Sequence, residues 1–294
     1  MFFVSGNDRP RGGRTQTLLA NRILPLLPPL IIAVAWEAAA FLGGGQFVPH
    51  ISALVLAILG SFQRNPIIEA EGGGTLGYAP HIWATMKLFL TSFVFGAGAA
   101  FFASVLCFPW LLLRRTFHAA LGPWHVVPPL IVIPLSFTFF GPSTLMFYLT
   151  IAFYAFVATA IYVLAALRDV SPKYINMARV AGAGRVWIAW KVRAPSALPV
   201  LIGPLKVVAS FTLGVTIVVE FLAAPEGIGR VMKFAMSFNS ATLILTGIFW
   251  SALIGLLFGV CLDQFGKRFL AWGFKGENET IPIAVLHREG LANR

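Results

Sequence analysis

The chain alternates between long apolar stretches and short polar segments. A membrane-spanning helix needs about 20 mainly apolar residues, and six stretches fit that length. They are residues 23–42, 88–113, 124–140, 144–167, 200–222 and 234–262, the last helix starting near Thr242. The third and fourth share one run without Asp, Glu, Lys or Arg, which we divide at Gly141 and Pro142 because these residues interrupt helices. The pattern predicts an all-α, polytopic membrane bundle of about six transmembrane helices.

Composition supports lipid as the solvent. Of 294 residues, 58% are hydrophobic and 11% are charged, whereas soluble domains carry about 25% charged residues. The two cysteines, Cys107 and Cys261, lie inside apolar runs and form neither a disulfide framework nor a metal-binding spacing. We therefore expect an N-terminal tail over 1–22, a transmembrane domain over 23–272 and a C-terminal tail over 273–294. Both tails are expected to be cytoplasmic because of the basic residues described next.

The basic residues predict the orientation, since Lys and Arg are retained on the cytoplasmic side. With the N-terminus inside, seventeen fall in inside segments and three in outside segments, leaving aside Lys87 and Lys206 at span ends. The inside set is Arg9, Arg11, Arg14, Arg22, Arg114, Arg115, Arg168, Lys173, Arg179, Arg185, Lys191, Arg193, Lys267, Arg268, Lys275, Arg288 and Arg294, and the outside set is Arg64, Arg230 and Lys233. This bias accounts for the net charge of +11 without a nucleic-acid partner.

The outside segment 43–81 contains an apolar stretch, 51–62, that is too short to span a bilayer. We expect this stretch to lie against the outer membrane face or to pack on the bundle.

The longest inside loop, 168–199, predicts a helix outside the membrane. Ser171 is a good N-cap and Pro172 suits the first helical position. Tyr174, Met177, Ala178 and Ala181 follow at helical spacing and share one face of a helix over 172–181. A solvated basic loop is the alternative to a docking helix for a cytoplasmic partner.

Two glycines end that helix. Gly182 and Gly184 interrupt the pattern, and residues 185–192 can form a second helix before Pro195.

The segment 176–199 resembles the signature loop of ABC-importer permeases, which reads Glu-Ala-Ala, then Gly, then Leu-Pro. The matching residues here are Ala178, Arg179, Gly182, Ala183, Arg185, Trp187, Pro195, Leu198 and Pro199. Segments 48–53, 127–141, 219–229 and 262–263 are similar to the nitrate, sulfonate and taurine branch of that family. The resemblance runs in order over roughly residues 20–275, which is more specific than any one motif.

The resemblance implies a type I ABC importer permease in a bacterial inner membrane, moving a small solute by alternating access. Its solute would be an anion such as nitrate, bicarbonate or a sulfonate, or a vitamin-like molecule. Its implied partners are cytoplasmic ABC ATPase subunits, a second permease copy or paralogue, and an external solute-binding protein. The residues implied to couple to the ATPase are Tyr174, Asn176, Met177, Ala178, Arg179, Gly182, Ala183 and Arg185. The family's Glu is replaced by Asn176, and its first Ala by Met177.

The chain is expected to be non-catalytic and to bind no cofactor itself. It lacks the Gly-x-x-x-x-Gly-Lys-Ser/Thr phosphate loop, so a separate ATPase subunit would bind ATP and Mg²⁺. His118 and His125 stand seven apart without an acidic partner, which argues against a metal site.

Charges within spans are costly and often functional. Lys206 and Glu220 in the fifth span are the candidates for the transport pathway, with snorkelling or a structural ion pair as the alternative. A different class of protein, an ion-coupled secondary transporter, would show internal repeats or a broken-helix site near the midplane. The sequence shows neither clearly.

Overall fold

The computed structural model describes residues 24–44, 47–270 and Trp272, and within them every regular element is helical. The expected tails, 1–22 and 273–294, lie outside the described residues. After a 3₁₀ turn at Leu24–Leu26, eleven helices are described: α1 Leu27–Leu42, α2 Ile51–Leu59, α3 Pro66–Ala70, α4 Ala79–Cys107, α5 Leu111–Val126, α6 Pro129–Phe140, α7 Thr144–Arg168, α8 Pro172–Val180, α9 Arg185–Ala223, α10 Ile228–Ser237 and α11 Ala241–Phe269. The all-α fold class is confirmed.

Four helices, α4, α7, α9 and α11, are long and apolar enough to cross a membrane. The pair α5 and α6 meets at a bend of 98° and makes a fifth span if the two are counted together. The first predicted span, 23–42, corresponds to α1, which has 16 residues and therefore a length of roughly 24 Å. That is short for a bilayer core of about 30 Å, so the sixth span stays a prediction.

The second predicted span is displaced. Its helix α4 begins nine residues earlier than residue 88 and ends at Cys107, because Pro80 suits a helix start and Pro109 follows the end. The prediction began the span at residue 88 because no charged residue follows until 114. Helix α4 includes Lys87, so the absence of charge placed its start too late.

The third predicted span, 124–140, is also different. Two helices replace it, and the chain is extended at Val127 and Pro128 between them. Pro128 and Pro129 are consecutive, and neither can donate a backbone hydrogen bond. The continuous apolar run therefore contains a sharp corner that hydropathy alone does not register.

The last predicted span contains two helices. The spanning helix α11 starts at Ala241, in agreement with the predicted start near Thr242. The residues before it form the amphipathic helix α10, which ends where Asn239 adopts a φ of 50°.

Helix α7 is the most buried of the four long helices and α11 is the least. Helix α7 packs closely against α4, where a Cβ at Gly96 would overlap the carbonyl oxygen of Ala152. Helix α9 packs on α7, α10 and α11. Small residues at such contacts allow two helix backbones to approach closely.

Large apolar side chains cover the outside of the bundle. Phe95, Phe102, Leu112 and Phe139 are each at least 60% exposed. A soluble monomer rarely exposes so many large apolar side chains together, so this surface fits a hydrocarbon solvent. The short apolar helix α2 packs on α11, as one of the two expectations for residues 51–62 stated.

Candidate functional site

Helix α8 projects from the bundle between α7 and α9. Pro172 occupies its first turn and Ser171 its N-cap position, although the Ser171 side chain makes no capping hydrogen bond. The apolar side chain of Ile175 is buried against Val170 and Ile188. This small cluster joins α8 to the beginning of α9.

The opposite face of α8 is open. Tyr174 is 56% exposed, Met177 62% and Val180 92%. Of the four residues predicted to share a face, Tyr174, Met177 and Ala181 are exposed and Ala178 is half-buried. Exposed apolar residues on a helix without an intramolecular partner are typical of a binding surface.

Helix α8 ends just before Gly182, as the sequence predicts, and its end forms a Schellman motif. Gly182 has a φ of 84°, and its N–H donates to the carbonyl oxygen of Arg179 at 2.9 Å. The N–H of Ala183 donates to the carbonyl oxygen of Ala178, also at 2.9 Å. A side chain at Gly182 would make this left-handed conformation unfavourable.

The second predicted helix, 185–192, does not end before Pro195. It continues through a π-helical stretch, Ala189–Arg193, into the fifth span, so that α9 has 39 residues. Pro195 cannot donate to a preceding carbonyl group, and the wider π turn beside it accommodates that loss without ending the helix. Asn176 and Arg179 on α8 and Arg185 on α9 are exposed.

Glu220 lies in a buried network at the other end of α9. Its side chain is 1% exposed, and its Oε2 accepts hydrogen bonds from Thr85 Oγ1 at 2.8 Å and from the N–H of Gly229 at 3.0 Å. The N–H of Ile228 donates to Thr85 Oγ1 at 2.9 Å. The carboxyl group therefore holds the N-terminus of α10 against α4 and α9.

His81 extends this network. The N–H of Gly227 donates to His81 Nδ1 at 3.2 Å, and His81 Nε2 lies 3.1 Å from the carbonyl oxygen of Gly73. Sequence reasoning missed Thr85 and His81 because Thr85 lies 135 residues from Glu220, and His81 lies 146 residues from Gly227. The motif 226–229 was the available signal, since its glycines bring backbone N–H groups close to Glu220.

Lys206 is not part of that network. Fourteen residues of helix separate it from Glu220, which corresponds to roughly 21 Å. Its Nζ lies 2.7 Å from Asp263 Oδ1, and both side chains are partly exposed. The pair faces a cavity of about 500 Å³ between α9 and α11, lined by small residues that include Ser210 and Gly255. The structure thus separates the two pathway candidates, one into a buried network and one into an open cleft.

Within the described residues, no group of three or more His, Cys, Asp or Glu side chains could hold a metal ion.

Comparisons with known proteins identify the family of the chain. Residues 111–271, more than half of the chain, match the family model described as the binding-protein-dependent transport system inner membrane component. The taurine transport system permease protein TauC of Escherichia coli K12 is 27% identical over 195 residues, which are 65% of this chain and 71% of TauC. The aliphatic sulfonates transport permease protein SsuC of Bacillus subtilis 168 is 26% identical over 250 residues, 84% and 86% of the two chains.

A solved structure agrees on the fold. A chain of the MetNI methionine ABC transporter, in an inward-facing conformation, matches with a TM-score of 0.52 at 19% identity, covering 64% of this chain and 93% of that one. The family match includes α8, its glycine end and the whole of α9. The chain therefore belongs to the family of inner membrane components of binding-protein-dependent transport systems.

Proposed function

We propose that this chain is the permease subunit of an ATP-driven importer and receives its driving force through α8 from a separate ATPase. One observation carries the proposal: α8 presents Tyr174, Met177 and Val180 outward while Ile175 joins it to α9. A partner that binds the exposed face of α8 can therefore move the beginning of α9.

Helix α9 then carries the movement across the membrane. Its 39 residues correspond to a length of roughly 58 Å. It starts beside α8 and ends at the Glu220 network, which holds α10. A displacement at one end is thus linked by a single helix to the opposite end, which suits a rigid-body movement of the bundle.

The family match supports a proposal for the assembly. We propose two permease subunits, two cytoplasmic ATPase subunits that bind ATP and Mg²⁺, and an external solute-binding protein. The N- and C-termini would face the cytoplasm, as the seventeen-to-three distribution of basic residues indicates.

The proposed substrate is a small solute of the kind handled by the resembling branch: an anion such as nitrate, bicarbonate or a sulfonate, or a vitamin-like molecule. The relatives named for taurine, aliphatic sulfonates and riboflavin support that range. Identification of the ligand held by the co-expressed binding protein would select within it.

The test uses the exposed face of α8. Met177→Glu introduces a charge into the apolar contact, and we expect it to reduce co-purification of the ATPase by about tenfold or more, since a buried unpaired charge costs several kcal/mol. Leu76→Glu introduces the same charge at an exposed apolar side chain in the loop before α4, and as the matched control it should retain the ATPase. Membrane insertion of both variants is checked by fractionation.

Two results would count against this function. Undiminished ATPase binding by Met177→Glu and by Gly182→Pro would exclude α8 as the contact. Solute uptake that continues in vesicles without ATP, driven by an ion gradient, would instead indicate a secondary transporter.

A further inference from the structure

Four arginines meet at one cavity where α4, α5, α8 and α9 come together. Arg114, Arg179, Arg185 and Arg193 line a space of about 230 Å³ with Phe108 and a few apolar side chains. Guanidinium groups stay charged at any physiological pH, so four positive charges face one small volume. Among the described residues, no carboxylate lies within ion-pair distance of any of the four.

Two of these arginines are held in place. The Cζ atoms of Arg114 and Arg193 lie 4.7 and 4.8 Å from the centroid of the Phe108 ring. Arg193 also donates from Nη1 to the carbonyl oxygen of Leu167. Cation–π contacts and a backbone bond fix the direction of both guanidinium groups. The site is therefore preorganised, which distinguishes it from a set of mobile surface arginines.

One donor in this site has no partner. The Nε of Arg114 is buried and makes no hydrogen bond within the described part of the chain. Buried polar groups are nearly always satisfied by protein, water or a ligand. The unmet donor and the uncompensated charge both indicate an anion with several acceptor oxygens.

The position of the cavity indicates the source of that anion. It lies where α4 ends and where α5 and α9 begin. Its lining residues Pro109 and Ile188 adjoin Trp110 and Trp187 along the chain, and these tryptophans are 46% and 53% exposed. Exposed tryptophans at helix ends are typical of the membrane–water interface. Phospholipid phosphates occupy the same depth, and basic pockets between helices on the cytoplasmic side bind anionic headgroups.

We propose that the cavity of Arg114, Arg179, Arg185 and Arg193 binds the phosphate group of an anionic phospholipid. Arginine forks fit phosphate oxygens bidentately. The bound headgroup would neutralise the arginines that lie between α8 and the bundle, and would attach α8 to the membrane surface.

The experiment measures lipid retention and does not depend on transport. The full-length chain, with any subunits that co-purify, is equilibrated in detergent with equal amounts of phosphatidylglycerol and phosphatidylcholine, and retained lipids are counted by native mass spectrometry. We expect the wild type to retain phosphatidylglycerol selectively. Arg114→Gln and Arg193→Gln should each reduce that retention by about tenfold, the effect of losing one charge-assisted bond or more.

Two further variants keep the test decisive. Arg179→Gln changes an exposed side chain, so its effect on retention is measured on an undisturbed fold. Arg115→Gln, beside Arg114 on α5 and outside the cavity, is the matched control and should retain phosphatidylglycerol like the wild type.

Three outcomes would overturn the proposal. Equal losses from Arg115→Gln and the cavity variants would indicate a non-specific basic surface. Displacement of the lipid by millimolar inorganic phosphate would assign the site to a soluble anion. Cross-linking of the cavity to a carboxylate of a partner subunit, or of residues 273–294, with no lipid retained, would assign it to a protein contact.

Discussion

At the scale of single residues, Glu220 shows how one carboxyl group organises three helices. Its Oε2 accepts from Thr85 on α4 and from the backbone of Gly229 at the start of α10, while the residue itself belongs to α9. A hydrogen bond contributes about 1 kcal/mol net, but a buried donor left unmet costs about 1–3 kcal/mol. The value of Glu220 to stability therefore lies in the two donors that depend on it.

Glu220→Ala should lower the free energy of unfolding by about 2–4 kcal/mol, because it removes the acceptor of two buried donors. Glu220→Gln should lower it less, since the amide oxygen remains an acceptor. Thermal unfolding in detergent measures both. Glu226→Ala, at an exposed position in the same segment, is the control and should behave like the wild type. An unchanged midpoint for Glu220→Ala would show that the network is dispensable.

The Lys206–Asp263 pair gives a second prediction. Lys206→Met leaves Asp263 unpaired at membrane depth and should cost about 1–3 kcal/mol, between the values for exposed and buried pairs. The double variant Lys206→Met/Asp263→Leu should recover most of that loss. Additive losses in this double-mutant cycle would mean that the 2.7 Å contact contributes no coupling.

Uptake assays decide whether the same residues belong to the transport pathway. If Lys206 and Glu220 line it, alanine variants of both should transport more slowly at normal expression. Normal rates in both variants would leave them a purely structural role.

At the scale of helices, α4 and α7 depend on a close approach at Gly96. A Cβ there would overlap a backbone carbonyl oxygen of α7. A Cβ at Gly98, two residues further on and on the opposite side of the same helix, meets nothing within 4 Å. A backbone atom cannot move aside as a flexible side chain can. The two glycines thus have different roles despite their shared helix.

Gly96→Ala should therefore destabilise the protein by about 1–3 kcal/mol, the usual cost of overpacking. Gly98→Ala should be neutral or stabilising by up to about 1 kcal/mol, since alanine is the better helix former. Unfolding midpoints of the two variants, measured side by side, test this. Equal midpoints would indicate that α4 and α7 separate easily at this contact.

At the scale of the whole molecule, the alternation of long helices and polar segments fixes which loops share a side of the membrane. Helix α8 and the α9–α11 connection, residues 224–240, are separated by one membrane-crossing helix. They must therefore face opposite compartments. The distribution of basic residues predicts that α8 is the cytoplasmic one of the two.

Cysteine labelling tests this arrangement. In a background with Cys107 and Cys261 replaced by alanine, Arg179→Cys should react with an impermeant maleimide only in inverted vesicles. Glu226→Cys should react only in intact spheroplasts. Labelling of position 179 from the outside would place α8 beyond the reach of a cytoplasmic ATPase and would refute the proposed function.

Much of this architecture was readable from local patterns. The existence of several long apolar helices, the helix predicted at 172–181 and its end at Gly182 follow from hydropathy, proline placement and glycine conformation, each of which acts over a few residues. Where the local rule was incomplete, the prediction shifted: α4 starts early because Pro80 begins the helix, and α9 passes through Pro195 because a π turn absorbs the missing donor.

The sequence by itself determined the solvent of this protein, its helical class and the exposed helix with its glycine end, because those depend on composition and on neighbours along the chain. Only the tertiary structure decided that Thr85 meets Glu220 across 135 residues, that Lys206 meets Asp263 across 57, and that four arginines share one cavity. Such contacts depend on how helices pack against one another. The sequence around each residue does not indicate which distant residue it will meet.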